Sequence, residues 1–169
     1  MEDWRVSREA LKDPNDDEQV WWDVIERVFD ELATPYKPDP RLERLTPGQR
    51  ALYALHWTRS EVGNGGFHQY LHNPTGMLAG EASQGAGLIG ALEIGDVLRE
   101  LHGLFPGGEV PAQQGERIAF LERVDRSELD QHDERFYELL PSLATCCAAY
   151  VGAHPDEFFL PQRELSTPS

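Results

Sequence analysis

The side chains best equipped for chemistry gather in one stretch, Glu61-Val62-Gly63-Asn64-Gly65-Gly66-Phe67-His68-Gln69-Tyr70-Leu71-His72-Asn73-Pro74. His68 and His72 stand four apart, the spacing that puts two imidazoles on one side of a helix, and Glu61 is near enough in sequence to imagine a metal site. The pair lacks the glutamate of a zinc-protease helix, and no third spaced ligand stands out, so no metal is expected. Gly63, Gly65 and Gly66 are not a dinucleotide fingerprint, because no strand precedes them and the spacing fails. The polar residues Glu61, Asn64, Gln69 and Asn73 alternate with Val62, Phe67, Tyr70 and Leu71. That mixture predicts a sharp glycine corner whose polar side chains hydrogen-bond the backbone while the aromatics pack inward.

Other reactive types lie scattered. Ser60, Ser83 and Cys146 are each a nominal nucleophile, but none sits in a recognisable elbow or redox motif. Asp130, Asp133 and Glu134 form a loose carboxylate cluster without the ligand spacing of a calcium loop, which predicts a solvated acidic face. Cys146 and Cys147 are neighbours in an apolar stretch, a poor geometry for a disulfide, and read as buried thiols in a reducing compartment. No cofactor is expected, and the reading leans away from an enzyme.

The elements that must hold these residues are helical. Asp16 to Ala33 carries Val20, Trp21, Val24, Ile25, Val28, Phe29 and Leu32 on one face and Asp23, Glu26, Asp30 and Glu31 on the rest. Trp21 and Trp22 cannot both face one way, so one is expected at a helix–helix or subunit contact. Residues 34–40 form a proline-rich connector, and Thr46-Pro47 starts a second helix that delivers Glu61 to the corner. Residues 77–92 are rich in Gly and Ala but keep a helical stripe, which predicts a closely packed helix. Ile94–Phe105 is another, stopped by Pro106-Gly107-Gly108. Pro111 opens a helix with Glu116, Arg117, Glu122, Arg123 and Asp125 on its outer side. Ser127 is a candidate cap for a short turn, and a last apolar helix is expected at about Pro141–Ala153. The prediction is all-α, about seven or eight helices in a single compact domain over residues 16–154. A polar N-terminal arm (1–15) precedes it, and a C-terminal tail (155–169) that frays or wraps as coil follows.

Charge is the strongest bulk property. The 169 residues carry 30 acidic against 15 basic side chains, a net −15, and only Lys12 and Lys37 are lysines. Such a surface repels nucleic acid and anionic membranes and favours basic partners. Met1-Glu2-Asp3-Trp4-Arg5 is no signal peptide, and no apolar run approaches the length of a membrane span, so a cytoplasmic location is expected.

The run Glu61, Asn64, Gly65, Gly66, Phe67, Gln69, Tyr70 and Asn73 resembles the hallmark of the bacterial DNA-mimic protein 19 family, whose domain was long catalogued as of unknown function. The likeness extends more loosely over about residues 45–140. It implies an all-helical fold. It also implies kinship with an acidic homodimer that imitates DNA and occupies a transcription factor's DNA-binding surface, and hence a role in transcription regulation.

Charge and resemblance together predict an acidic binding protein for a basic DNA-binding partner, with a homodimer as the assembly. The expected contact residues are Asp16, Asp17, Glu18, Asp23, Glu26, Asp30 and Glu31 on the first helix, and Glu122, Asp125, Asp130, Asp133 and Glu134 later. Arg99, Arg117, Arg123, Arg126 and Arg135 interrupt that acidity. Two alternatives stand beside it. One is an enzyme or small-ligand binder built on Glu61, Asn64, His68, Gln69 and Asn73, which a pocket with converging polar groups would support. The other is an immunity or antitoxin-like partner of one cognate protein.

Overall fold

Asp16 opens the first helix by accepting the backbone N–H groups of Glu18 and Gln19 at 3.0 and 3.2 Å, which relieves two of the orphan donors of a helix N-terminus. In the computed structural model, which describes residues 3–32 and 39–161, this helix α1 spans Asp17–Leu32. Its apolar stripe is buried as the periodicity requires, and Trp21 is 1% exposed with its indole N–H donating to the Leu52 carbonyl at 3.1 Å. Trp22 lies half-buried against Phe29 and His56. Most of the expected proline connector, residues 34–38, lies outside the described residues, and a 3-10 turn follows at Pro40–Arg44.

Helix α2, Pro47–His72, is the axis of the fold and packs against α1 and against most of the helices that follow it. It starts where Thr46-Pro47 indicated. Thr46 and Gln49 form a reciprocal capping box, with Pro at the first position. Helix α3, Ala79–Leu88, is the small-residue helix, and its glycine content has a packing reason. A Cβ on Gly85 would stand 2.9 Å from the Cα of Ala51, so only glycine lets α3 lie this close to α2. Helix α4 covers Leu92–Gly103 and α5 covers Gln114–Leu121, three residues later than Pro111 suggested.

Helix α6 corrects the sequence reading. Asp125, not Ser127, is the cap: its carboxylate accepts the Ser127 N–H at 3.0 Å, and one helix runs from Arg126 to Ala153. Pro141 therefore lies inside it rather than opening a separate helix. Proline removes one ladder donor, but here it is on the exposed side, where water can take the released carbonyl.

The chain past Pro155 does not fray as expected, at least to residue 161. Pro155–Phe158 is a short helix α7, with Phe158 and Phe159 buried. Val6 and Phe159 form a parallel bridge, and Trp4 enters the core. Glu157 closes this end by accepting the Gly48 N–H at 2.6 Å and the Tyr150 hydroxyl at 2.8 Å. The described residues are thus all-α with seven helices and no strand beyond the single bridge. None of these helices is long and apolar enough to cross a membrane.

Candidate functional surface

The glycine corner is a break inside α2. Gly65 has φ −164° and ψ 26°, and Gly66 has φ 71° and ψ −177°, a left-handed region that costs glycine little. The break makes two new helix ends, and α6 satisfies both. Tyr137 donates its hydroxyl to the Val62 carbonyl at 2.7 Å, on the negative end of the first half. Asp133 accepts the Phe67 N–H at 2.6 Å, on the positive end of the second half. A Cβ on Gly66 would land on the Asp133 carboxylate. Burial pushes the Asp133 carboxyl above the usual range, and the Phe67 N–H pulls it back.

The hallmark polar residues close on one another. Glu61 is 9% exposed and accepts from Gln69 Nε2 and Asn73 Nδ2, both at 2.8 Å, and from Thr75 Oγ1 at 3.0 Å. Tyr70 is fully buried with its hydroxyl 3.0 Å from that of Thr58. Its pKa is pushed up by desolvation, which keeps it neutral. Phe67 packs edge-to-face on Phe136. His68 and His72 face each other with ring centroids 6.5 Å apart, and among the described residues no group of three His, Cys, Asp or Glu side chains could hold a metal ion. Burial lowers the His68 pKa, and Asn64 is exposed. The polar groups of the corner converge as a ligand site would, but on Glu61 itself, and neither cavity described for the chain is lined by Glu61, Asn64, His68, Gln69 or Asn73.

Arg117 locks the far end of α2. It is 0% exposed and has no carboxylate partner among the described residues. Its guanidinium donates to the carbonyls of Leu71, Asn73 and Pro74 at 2.9, 2.9 and 3.4 Å, and to those of Pro111 and Ala112 at 2.8 and 2.7 Å. Desolvation lowers its pKa, and the negative end of the helix dipole compensates the charge. Arg117 therefore does not interrupt the acidic surface, contrary to the expectation from sequence.

Two of the expected contact carboxylates are not free surface either. Asp23 is 4% exposed and accepts the Lys12 N–H at 2.7 Å and Gln19 Nε2 at 2.6 Å, with the Lys12 ammonium 3.4 Å away. It ties the N-terminal segment to α1. Asp133 is spent on the corner. Of the rest, Glu18 pairs with Arg59, Glu26 with Lys12, Glu31 with Arg27 and Asp130 with Arg126. Asp16, Asp17, Asp30, Glu122, Asp125 and Glu134 have no cationic partner among the described residues. Arg99 and Arg135 are engaged by Asp96 and Glu100.

Helices α1 and α6 pack together, and Thr145 donates to Asp17 at 2.8 Å. The acidic start of α6 lies further along that helix: Asp133 is twelve residues from Thr145, about 18 Å of axial rise.

A larger feature was not anticipated from the sequence. A groove of about 1210 Å³ opens between the N-terminal half of α2, α3, the loop at 105–112 and α5. The small residues of α3 and the Pro106-Gly107 break were its only sequence signals.

Neither a curated protein nor a solved structure matches the chain. One family model does, over residues 43–154, from just before α2 to the end of α6, and its description is DMP19-like protein. That span contains the broken helix, the Glu61 cluster, Asp133 and Arg117, and on this match the chain belongs to the DMP19-like family.

Proposed function

We propose that the protein acts by binding, presenting the carboxylates of α1 and α6 to the nucleic-acid-binding face of a basic protein. The observation that carries this reading is the set of carboxylates with no cationic partner among the described residues, Asp16, Asp17 and Asp30 at and along α1 and Asp125 and Glu134 at and along α6. Membership of a family described as DMP19-like supports it. Carboxylates on packed helices are held in place before binding, so little ordering entropy opposes the contact with Lys and Arg. The single net charge of −15 adds long-range attraction for a basic face and repels nucleic acid itself.

The test is capture on the immobilised protein of DNA-binding proteins of its own cell, released by competing duplex DNA. Apparent affinity should fall about ten-fold or more between low and physiological salt. The double variant D30K/E134K, which leaves the Asp16 cap and the Asp17–Thr145 hydrogen bond in place, should weaken capture at least about ten-fold while melting as the parent does. Capture that ignores both salt and duplex DNA, or that survives the charge reversal, overturns the reading.

A further inference from the structure

The groove beside α3 has an apolar floor and an acidic rim. Phe105 and Phe120, stacked with ring centroids 3.9 Å apart, form its base with Val110. Leu88, on the lip, is 46% exposed, a large apolar side chain with nothing over it. The walls carry Glu81 on α3, Glu109 in the loop and Glu116 on α5, and none of the three has an ion-pair partner among the described residues. The two arginines of the lining are turned to the protein's own carbonyls: Arg50 donates to Leu42 at 2.8 Å and Arg123 to Ala119 at 3.0 Å. Both guanidiniums keep their charge, so the lining holds three carboxylates against two cations, a small negative excess.

We propose that this groove docks a cationic amphipathic helix presented by a partner protein. Its volume of about 1210 Å³ exceeds that of an ordinary small-molecule site. Two turns of helix, roughly 10 Å across and 11 Å long, fill a comparable space. Apolar side chains at three- and four-residue spacing reach the Phe105–Phe120 floor and Leu88, while flanking lysines meet Glu81, Glu109 and Glu116. The excess of carboxylates favours a basic helix over an acidic one, and the floor favours an amphipathic segment over a purely basic one. The surface is distinct from the α1 and α6 carboxylates, so this inference does not depend on the reading above.

The probe is a fluorescein-labelled helical peptide of leucine and lysine, followed by anisotropy on the full chain. Controls are a lysine-only peptide and a leucine–glutamate peptide. The leucine–lysine peptide should bind, and the leucine–glutamate peptide should not. Ala119→Trp fills the groove from an exposed position of α5. Gly80→Phe fills it from α3, where a Cβ meets no atom within 4 Å. Each should weaken binding at least about ten-fold with an unchanged melting curve. E81Q/E109Q/E116Q should weaken it and flatten its salt dependence, whereas D30K/E134K should leave it unchanged. Equal binding by parent and both filled variants overturns the proposal, as does equal binding of the lysine-only peptide. Peptide binding that appears only once residues 162–169 are removed assigns the groove to the chain's own end. Binding that vanishes as protein concentration rises assigns it to a second copy. Either result also overturns the proposal.

Discussion

Replacing Gly66 by alanine tests the corner, because the cost should depend on a residue 67 positions away. Two penalties meet at this site. The first is backbone strain: Gly66 has φ 71° and ψ −177°, a region occupied essentially by glycine, and an L side chain there costs at least about 1–2 kcal/mol. The second is steric, since the new Cβ occupies the place of the Asp133 carboxylate. Expelling that carboxylate leaves the Phe67 N–H, which now donates at 2.6 Å, without its charged acceptor. A cap lost at a helix N-terminus costs about 1 kcal/mol, and a hydrogen bond to a charged group about 2. G66A should therefore cost about 3–4 kcal/mol, and D133A alone about 2. In the double variant the cap is already gone, so the total should stay near 3–4 kcal/mol rather than reach about 5–6, a coupling of about 2 kcal/mol. Urea unfolding of the four proteins, with equal m-values, reads this cycle. Additivity within about 0.5 kcal/mol would refute the claim that Gly66 is glycine in order to admit Asp133.

Three further perturbations follow from the same geometry. Burial among Trp21, Trp22 and Phe29 drops the His56 pKa from 6.5 to about 4, so the unfolded chain takes up this proton first. Its contribution is intact above pH 6.5 and declines down to about pH 4, by about 3 kcal/mol at most, and His56→Leu should flatten that part of a stability-versus-pH curve. Arg117→Met strands five carbonyl acceptors and should cost more than about 3 kcal/mol, while Arg117→Lys, which keeps the charge without the planar fork, should recover only part of it in denaturant titrations. Cys147 is 0% exposed and burial pushes its thiol up, so in a C146A background a disulfide reagent should label it only at the rate of unfolding.

What the sequence made legible was whatever depends on neighbours along the chain. The spacing of Val20, Trp21, Val24 and Val28 predicts the face that α1 buries, and Thr46-Pro47 predicts the start of α2. What escaped depends on partners far away. Asp23 and Asp133 look like surface carboxylates by local pattern, and each is claimed by a backbone N–H, one from Lys12 and one from Phe67. Arg117 looks like a surface cation, yet its acceptors lie on the end of another helix, more than forty residues back at Leu71 and Asn73. Periodicity reports the face of a helix; it does not report which polar residue on that face has a buried acceptor waiting. The groove was illegible for a related reason, since its concavity belongs to three helices and a loop at once.

The corner, the stretch richest in side chains equipped for chemistry, is better understood as the cost and cure of bending one helix. A helix that continued straight through residue 66 would need no Asp133, no Tyr137 hydroxyl and no glycine. Breaking it leaves a carbonyl end and an amide end at part-buried positions, where an unmet group costs about 1–3 kcal/mol. Helix α6 supplies a hydroxyl donor to one and a carboxylate acceptor to the other, four residues apart on one face, at positions 137 and 133. The Glu61 cluster then ties the two halves, since Glu61 stands before the break and Gln69, Asn73 and Thr75 after it. Every member of the hallmark with a buried polar group thus has a partner created by the break. The residues that carry the resemblance are consequently those that fix this fold, and the exposed carboxylates and the groove are surfaces that the bent helix holds in position without using them.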